Sequence, residues 1–354
     1  MIFIAFFIAA LAVALAVPYA VRMAQAANYV DMPDARKIHE GAVPPVGGMV
    51  IFLVFFLMQL FAPSSLDVTA PWILLGLIIL VFTGFIDDRW RVPAVVKFGL
   101  HFLVAFLAVV PGDVELQTLG NLFGLGEFSL GWFAIPFTVA CIVYLINALN
   151  MMDGMDGLAG GLSLIICFWL LYASIQGGQG APYPLVLLAG CLCGFLWHNA
   201  RHPKNARAKL FLGDAGAMGL AYILSVYAIR MGSGDAPLFT PIAAAWILAL
   251  PIVDAFGLLV ARLRAGKHPF EPDNNHFHHR FLAVGFAPEQ ATPLILLLAF
   301  LMGAFGVLGS VAGIPLPVLS ILWIVLWLGH AYLVARPEPL LACLRLLRKV
   351  TAKK

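Results

Sequence analysis

Residues 130–176 read LGWFAIPFTVACIVYLINALNMMDGMDGLAGGLSLIICFWLLYASIQ, two apolar runs joined by a short polar turn. Neither run holds a Lys, Arg or Glu, and the only carboxylates, Asp153 and Asp156, sit in the turn with Gly154 and Gly157. Each run is long enough to cross a bilayer core as a helix, which takes about 17–25 apolar residues. The stretch therefore reads as two spans whose connection presents acids at one membrane face.

Further apolar runs fall near 1–21, 46–62, 71–86, 95–111, 182–199, 211–230, 238–261, 290–309 and 315–334, giving eleven expected crossings. Composition agrees. Of 354 residues, 62% are apolar and 11% charged, against roughly 45–50% and about 25% in soluble domains, so lipid must solvate much of the surface. No Lys or Arg precedes Arg22, whereas a secretory signal carries its positive charge ahead of its apolar core. The first run is therefore read as a retained span. The expected fold is an all-α integral membrane protein with its N-terminus outside and its C-terminus cytoplasmic. Residues 1–335 would form a single catalytic membrane domain and 336–354 a basic cytoplasmic tail.

The distribution of positive charge tests that count. Assigned inside are three Lys/Arg in 22–45, three in 87–97, four in 198–210, four in 262–289 and six from Arg336 onward, which is 20 of 21. Arg230 alone falls outside. A net charge of +3 with no basic tract interleaved with aromatics excludes nucleic acid as a partner. The five cysteines lie in or beside apolar runs, with no metal-finger spacing; they read as small packing residues. The outer segment 112–130 is open between a hairpin on the membrane and an irregular loop.

The chemistry collects at the inner ends of the spans. Asp87 and Asp88 close the run 71–86, Asn147, Asn150, Asp153 and Asp156 occupy the turn, and Asp214 opens the run 211–230 in Phe211-Leu212-Gly213-Asp214. Five carboxylates at one interface are costly without a compensating charge, and a divalent cation with oxygen ligands supplies it economically. The three-residue steps of the turn set adjoining pairs on a shared helix face. Gly154 and Gly157 should break the helix there and free backbone N–H groups, which favour phosphate at the next helix start. Lys97, nine residues after Asp88 and four before His101, reads either as a snorkelling lysine or as the cation facing a diphosphate. Arg262, Arg264 and Lys267 precede His276, His278 and His279. No two of these histidines are four apart, and zinc would need further ligands, so binding of phosphate or sugar hydroxyls is the preferred reading. Asp254, about 12 Å along the helix from Arg262 at 1.5 Å per residue, either pairs with an inner polar group or orients the loop. His330 reads as structural.

Together these motifs resemble the polyprenyl-phosphate N-acetylhexosamine-1-phosphate transferases. The resemblance runs from about Asn28 to Phe286. It is carried by Asp31-Met32-Pro33-Asp34-Ala35-Arg36-Lys37-Ile38-His39 with Pro44-Pro45-Val46-Gly47-Gly48, by Asp87-Asp88, by the stretch from Asn147 to Gly157, and by Phe211 to Asp214. Pro269-Phe270-Glu271-Pro272-Asp273 followed by His276-Phe277-His278-His279 is similar to the branch that handles UDP-N-acetylglucosamine. The resemblance implies transfer of N-acetylglucosamine-1-phosphate from that donor to undecaprenyl phosphate, with release of UMP. The product would be a lipid-diphosphate-linked sugar that starts a cell-surface polysaccharide. It also implies Mg²⁺ or Mn²⁺, a bacterial inner-membrane location and a cytoplasmic site.

Carried over by position, Asp214 and Asn150 are implied metal ligands, with Asp88 as a further candidate. Gly154, Met155, Asp156 and Phe211 fall where uridine is held, Lys97 reaches the diphosphate, and Arg262 with the histidine stretch meets the sugar. Asp87, Asp88, Asp153, Asp156 and Asp214 form the expected catalytic set; Asn147 and Arg264 complete the expected substrate contacts. One departure is Ala217, where the family usually carries Ser after the Gly, so no catalytic serine stands there. The runner-up reading uses another UDP-linked N-acetylated sugar, such as a 6-deoxyhexosamine. A transporter would place ionisable groups near the midplane, and Asp254 is the only carboxylate assigned well inside a span. A homodimer is one candidate assembly.

Overall fold

The computed structural model describes residues 2–32, 41–61, 71–233, 237–268 and 275–351. Among them regular structure is helical, with only isolated bridges between extended residues. The helices are α1 (Ile2–Ala26), α2 (Gly47–Gln59), α3 (Pro71–Trp90), α4 (Ala94–Val109), α5 (Ala134–Met152), α6 (Leu158–Gln176) and α7 (Tyr183–Asn199), followed by α8 (Gly213–Gly232), α9 (Pro241–Ile247), α10 (Ala249–Arg264), α11 (Phe277–Ala283), α12 (Pro288–Val311), α13 (Leu316–Ala335) and α14 (Glu338–Thr351). Ten of the eleven apolar runs each hold one α-helix, and the run 238–261 is the bent pair α9 and α10. Seven are long and apolar enough to cross a membrane, and α9 with α10 forms an eighth if that bent pair is one span. The shorter α2, α4 and α7 are apolar too. The chain is a multi-pass membrane protein.

At the centre stands α8, buried along almost its whole length. Its composition explains why. Glycines and alanines at 213, 215, 216, 217, 219 and 221 leave no side chain to hold neighbours away, and in lipid it is close van der Waals contact rather than water exclusion that joins helices. A Cβ at Gly48 of α2 would fall on the backbone of Gly216, and one at Gly84 of α3 on that of Ala215. A similar contact joins α1 to α7, where a Cβ at Gly190 or Gly194 would meet the carbonyls of Phe6 and Ala10. Gly84 lies just ahead of Asp87 and Asp88, so this approach carries both acids to the start of α8.

The chain bends by 78° between α9 and α10. Pro251 sits in the first turn of α10, where it has no N–H to offer and its ring excludes the carbonyl four residues back. Between α4 and α5, Leu119 N–H donates to the Phe128 carbonyl (2.9 Å) and Leu130 N–H to that of Gln117 (2.9 Å). Segment 112–130 thus contains a short paired hairpin. The basic tail is largely the helix α14, whose Leu344 is buried while Leu346 and Val350 are exposed. Arg348 Nη1 donates to the Val284 carbonyl, 2.9 Å away, just after α11.

Candidate active site at the inner ends of the helices

Three helix ends meet around Lys97. Its ammonium lies against the Asp87 carboxylate at the end of α3 and 3.0 Å from Asp214 Oδ2 at the start of α8. Asp214 Oδ1 accepts from Asn150 Nδ2 of α5 at 2.9 Å. Asp88 Oδ1 accepts the Asp214 backbone N–H at 3.1 Å, a carboxylate placed where a helix start favours negative charge. Gly213 has φ +72, and a Cβ there would stand 2.7 Å from Asp88 Oδ2. Only glycine combines that backbone angle with that approach. Asp87 also fixes the following turn by accepting the Val92 N–H at 2.6 Å.

The segment between α1 and α2, with the start of α2, braces this cluster through backbone hydrogen bonds. Gly47 N–H donates to the Phe211 carbonyl (2.9 Å), Gly48 N–H to that of Leu212 (2.8 Å), and Phe211 N–H to that of Pro44 (3.0 Å). Phe211 is thereby held through its backbone. The Tyr29 hydroxyl donates to the Phe85 carbonyl at 3.3 Å. Burial pushes that phenol well above its usual range, with Asp88 and Asp214 adding to the effect. Residues 33–40 of the same motif lie outside the described residues, as do 269–274 of the histidine loop.

Asp153 ends α5, and α6 begins after Gly157, whose φ of +78 makes the glycine necessary. Burial raises the Asp153 carboxyl to about 7, helped by the charges of Asp214 and Asp156. Asp156 turns the other way. Its Oδ2 accepts from Arg201 Nε at 2.7 Å, and Arg201 also reaches Glu289 at 3.2 Å. Asn199 bridges the segment by accepting the Gly157 N–H (2.8 Å) and donating to the Leu210 carbonyl (2.9 Å). Met155 is buried while Gly154 is open. Asn147 faces His101, with 3.3 Å between Nδ2 and Nδ1, and His101 Nε2 lies 3.1 Å from Met218 Sδ.

The histidine loop docks onto this turn. A Cβ at Gly154 would run into the His278 ring. His278 is 1% exposed and neither ring nitrogen has a protein partner. Burial lowers its pKa to about 3, with His279 and His276 contributing, so the imidazole is neutral at ordinary pH. Arg262 is buried on α10, and Arg264 at the end of that helix is exposed. Asp254 pairs with His276 (Oδ2 to Nδ1, 3.1 Å), an inner polar group as the first of its two alternatives expects, and lies 3.6 Å from His330 Nε2, a contact that the sequence did not suggest and that is too long for a hydrogen bond. Sequence reading also passed over Asn199, Arg201 and Tyr29. Arg201 carries a usable signal, since a basic residue at the end of an apolar run is a natural counterion for acids at the ends of other runs.

Among the described residues no three His, Cys, Asp or Glu side chains form a closed metal cage. A hard divalent cation does not need one, because Mg²⁺ commonly takes one or two carboxylates and completes its shell with water and substrate phosphates. Asp88 Oδ2 is buried without a hydrogen-bond partner, and Asn150 keeps its carbonyl oxygen while its amide donates to Asp214. An all-oxygen set of Asp88, Asp214 and Asn150 therefore fits such an ion.

The pattern of glycosyl transferase family 4 matches residues 70–232. That range holds Asp87, Asp88, Lys97, the turn from Asn147 to Gly157 and Asp214, and ends before the histidine loop. Undecaprenyl-phosphate alpha-N-acetylglucosaminyl 1-phosphate transferase of Escherichia coli O157:H7 is 31% identical over 326 residues, covering 90% of this chain and 87% of that protein. The probable undecaprenyl-phosphate N-acetylglucosaminyl 1-phosphate transferase of Bacillus subtilis (strain 168) is 33% identical over 303 residues, covering 85% and 82%. The Yersinia pestis protein named as the first is 32% identical over 313 residues, covering 87% and 84%.

Proposed function

Since the chain belongs to glycosyl transferase family 4 and is a phosphoglycosyl transferase, we propose that it transfers N-acetylglucosamine-1-phosphate from UDP-N-acetylglucosamine to undecaprenyl phosphate and releases UMP. The observation that carries this reading is the meeting of Lys97, Asp87, Asp88, Asp214 and Asn150 from four helices at one face. Both reactants are anionic there, so alignment and charge neutralisation dominate the barrier. We also place eleven crossings in the inner membrane of a bacterium, with the N-terminus outside and this face in the cytoplasm, where UDP-sugars are available.

The roles follow from position. Lys97, already between two carboxylates, swings its ammonium to the donor diphosphate and stabilises departing UMP. A divalent cation, when bound by Asp88, Asp214 and Asn150, supplies Lewis-acid neutralisation of the diphosphate. Gly154, Met155 and Phe211 shape the uridine pocket, Asp156 and Asp153 hold its floor, and Asn147 lines the approach from α5. Arg262 and Arg264, with His276, His278 and His279, meet the sugar and its phosphate. The acceptor is a phosphate monoester with a second pKa near 6, already largely dianionic at neutral pH. It attacks the β-phosphorus, the one that carries the sugar, and the bond from that phosphorus to the bridging oxygen breaks so that UMP leaves, while Asp87 or Asp88 orients the acceptor or takes a residual proton. The chain's own carboxylates thus need not form a covalent intermediate.

Purified protein in nanodiscs, given undecaprenyl phosphate, Mg²⁺ and a panel of UDP-sugars, should release UMP fastest with UDP-N-acetylglucosamine. Preference for a 6-deoxyhexosamine donor would change the assigned sugar. A phosphosugar trapped on the protein with UDP-sugar alone would replace direct attack by a two-step path.

A further inference from the structure

The sequence leaves one carboxylate inside a span, and the mechanism above does not use it. Asp254 on α10 is 1% exposed, and a carboxylate is kept in such a place only when it is paired and hydrogen-bonded. Two hydrogen-bond partners and one neighbouring ring nitrogen, from two other elements, surround it. His276 Nδ1 lies 3.1 Å from Oδ2, the Phe277 backbone N–H donates to Oδ1 at 2.9 Å, and His330 Nε2 of α13 lies 3.6 Å from Oδ1.

From this arrangement we propose that Asp254, steadied by His330, is the positioning residue of the histidine loop. It fixes the direction and tautomer of His276 and the start of α11, and through them the donor site. An ionised carboxylate can only accept, so His276 must carry a proton on Nδ1, which leaves Nε2 as the ring atom available to a ligand. The same grip propagates along the loop. The rings of His276 and His278 are nearly parallel, 14° apart with centroids at 5.5 Å, and the His278 ring lies against Gly154. A shift at Asp254 therefore reaches the proposed uridine turn through two stacked rings.

The packing around His330 is built to permit its approach. Gly257 lies three residues beyond Asp254 on the same face of α10, and a Cβ there would stand 3.0 Å from His330 Cδ2 and 2.9 Å from Val334 Cγ2. The His330 ring also stands at 60° to that of Phe277, with centroids 5.6 Å apart. His330 thus touches both the carboxylate and the first residue of α11. A role in packing alone would be met by any ring of that size. A positioning role needs the nitrogen.

The proposal rests on the donor reading of the loop, and the test separates the two. In nanodiscs, Asp254→Asn should raise KM for the UDP-sugar by roughly tenfold or more, the scale of a misplaced site, with KM for undecaprenyl phosphate unchanged. His330→Phe should move the same KM in the same direction, and His330→Gln, which keeps an N–H donor, should restore it. Hydrogen exchange of peptides spanning 275–284 should rise in Asp254→Asn and His330→Phe but not in His330→Gln. Unchanged exchange and unchanged donor KM in Asp254→Asn would overturn the proposal, as would equal behaviour of His330→Phe and His330→Gln. Wild-type protein that uses no UDP-sugar would sink the donor reading, while the exchange pattern would still decide the positioning role.

Discussion

The carboxylate pole around Lys97 and the histidine pole around Asp254 solve opposite electrostatic problems. At the first, acids from α3 and α8 crowd a single lysine and one Asp88 oxygen has no partner. At the second, a single buried acid sits among neutral or paired imidazoles. The first is an excess of negative charge awaiting a cation and phosphates. The second is organised by one carboxylate, while both ring nitrogens of His278 keep no protein partner. A site that must clamp charged groups and then release them benefits from that division: one half carries the charge that its ligands would balance, and the other holds its rings through a single buried acid.

The largest effect should come from emptying the first pole. Asp214→Asn keeps the shape but loses the charge that faces Lys97, and should lower kcat by on the order of 10³-fold, the scale of removing a preorganised electrostatic contact. Lys97→Met should act comparably. UMP release in the same nanodisc assay measures both. Activity within tenfold of wild type for either variant would remove the carboxylate pole from the chemistry.

Next in size is a steric test far from any charge. Gly84→Ala places a Cβ on the Ala215 backbone, so α3 must move away from α8 and carry Asp88 off the Asp214 amide. A displacement near 1 Å can cost about 10²-fold in rate, and kcat should fall on that scale while the protein still extracts as a folded monodisperse species. Gly154→Ala makes the matching test on the other side, since its Cβ meets the His278 ring; it should raise donor KM more than it lowers kcat. If Gly84→Ala acted on donor KM alone, the two poles would not be separable.

These contacts also show what the sequence could and could not convey. The first pole was legible because its residues lie at the ends of apolar runs, where Asp87, Asp88, Asp153 and Asp214 stand out against lipid-facing neighbours and their spacing resembles a family pattern. The helices are legible for the same reason, whereas segment 112–130 stays open in the sequence between a hairpin and an irregular loop and is decided by its backbone pairing. The second pole was not. His330 lies 76 residues from Asp254, on a helix whose other residues give no hint of it, and the pairing depends on Gly257 opening a path between helices. Asp156 was grouped with the other acids by spacing, yet Gly157 turns the chain and Arg201 draws it away. Local pattern fixes which residues are polar at a membrane face; it does not fix which of them meet.

A smaller effect follows for Arg201. It forms a partly exposed ion pair that braces the turn proposed to hold uridine, and such pairs contribute little by themselves. Arg201→Gln should leave kcat nearly unchanged and raise donor KM by about threefold, a loss well under 1 kcal/mol at RT ≈ 0.59 kcal/mol. A hundredfold loss of kcat would place Asp156 in the chemistry and move the boundary between the poles.

The finest distinction lies in how each pole titrates without substrate or divalent cation. Asp153 has a folded pKa raised to about 7, above the usual carboxylate value near 3.9. The folded state therefore holds this proton more tightly than the unfolded chain. Its stabilising contribution is complete below about pH 4 and is lost as pH rises through 7. His278 runs the other way. Its pKa is lowered to about 3 from an ordinary value near 6.5, so the folded state resists protonation. The stability that His278 allows is present above pH 6.5 and declines as pH falls toward 3. Thermal unfolding of the cation-free protein in detergent, scanned from pH 4 to pH 8, should expose both slopes. Asp153→Asn should gain on wild type as pH rises, with the difference growing to about pH 8, whereas His278→Gln should gain on it as pH falls below 6. If Asp153→Asn instead tracked wild type in parallel across that range, the turn would carry no trapped proton, and the crowding of acids that defines the first pole would be relieved before any ligand binds.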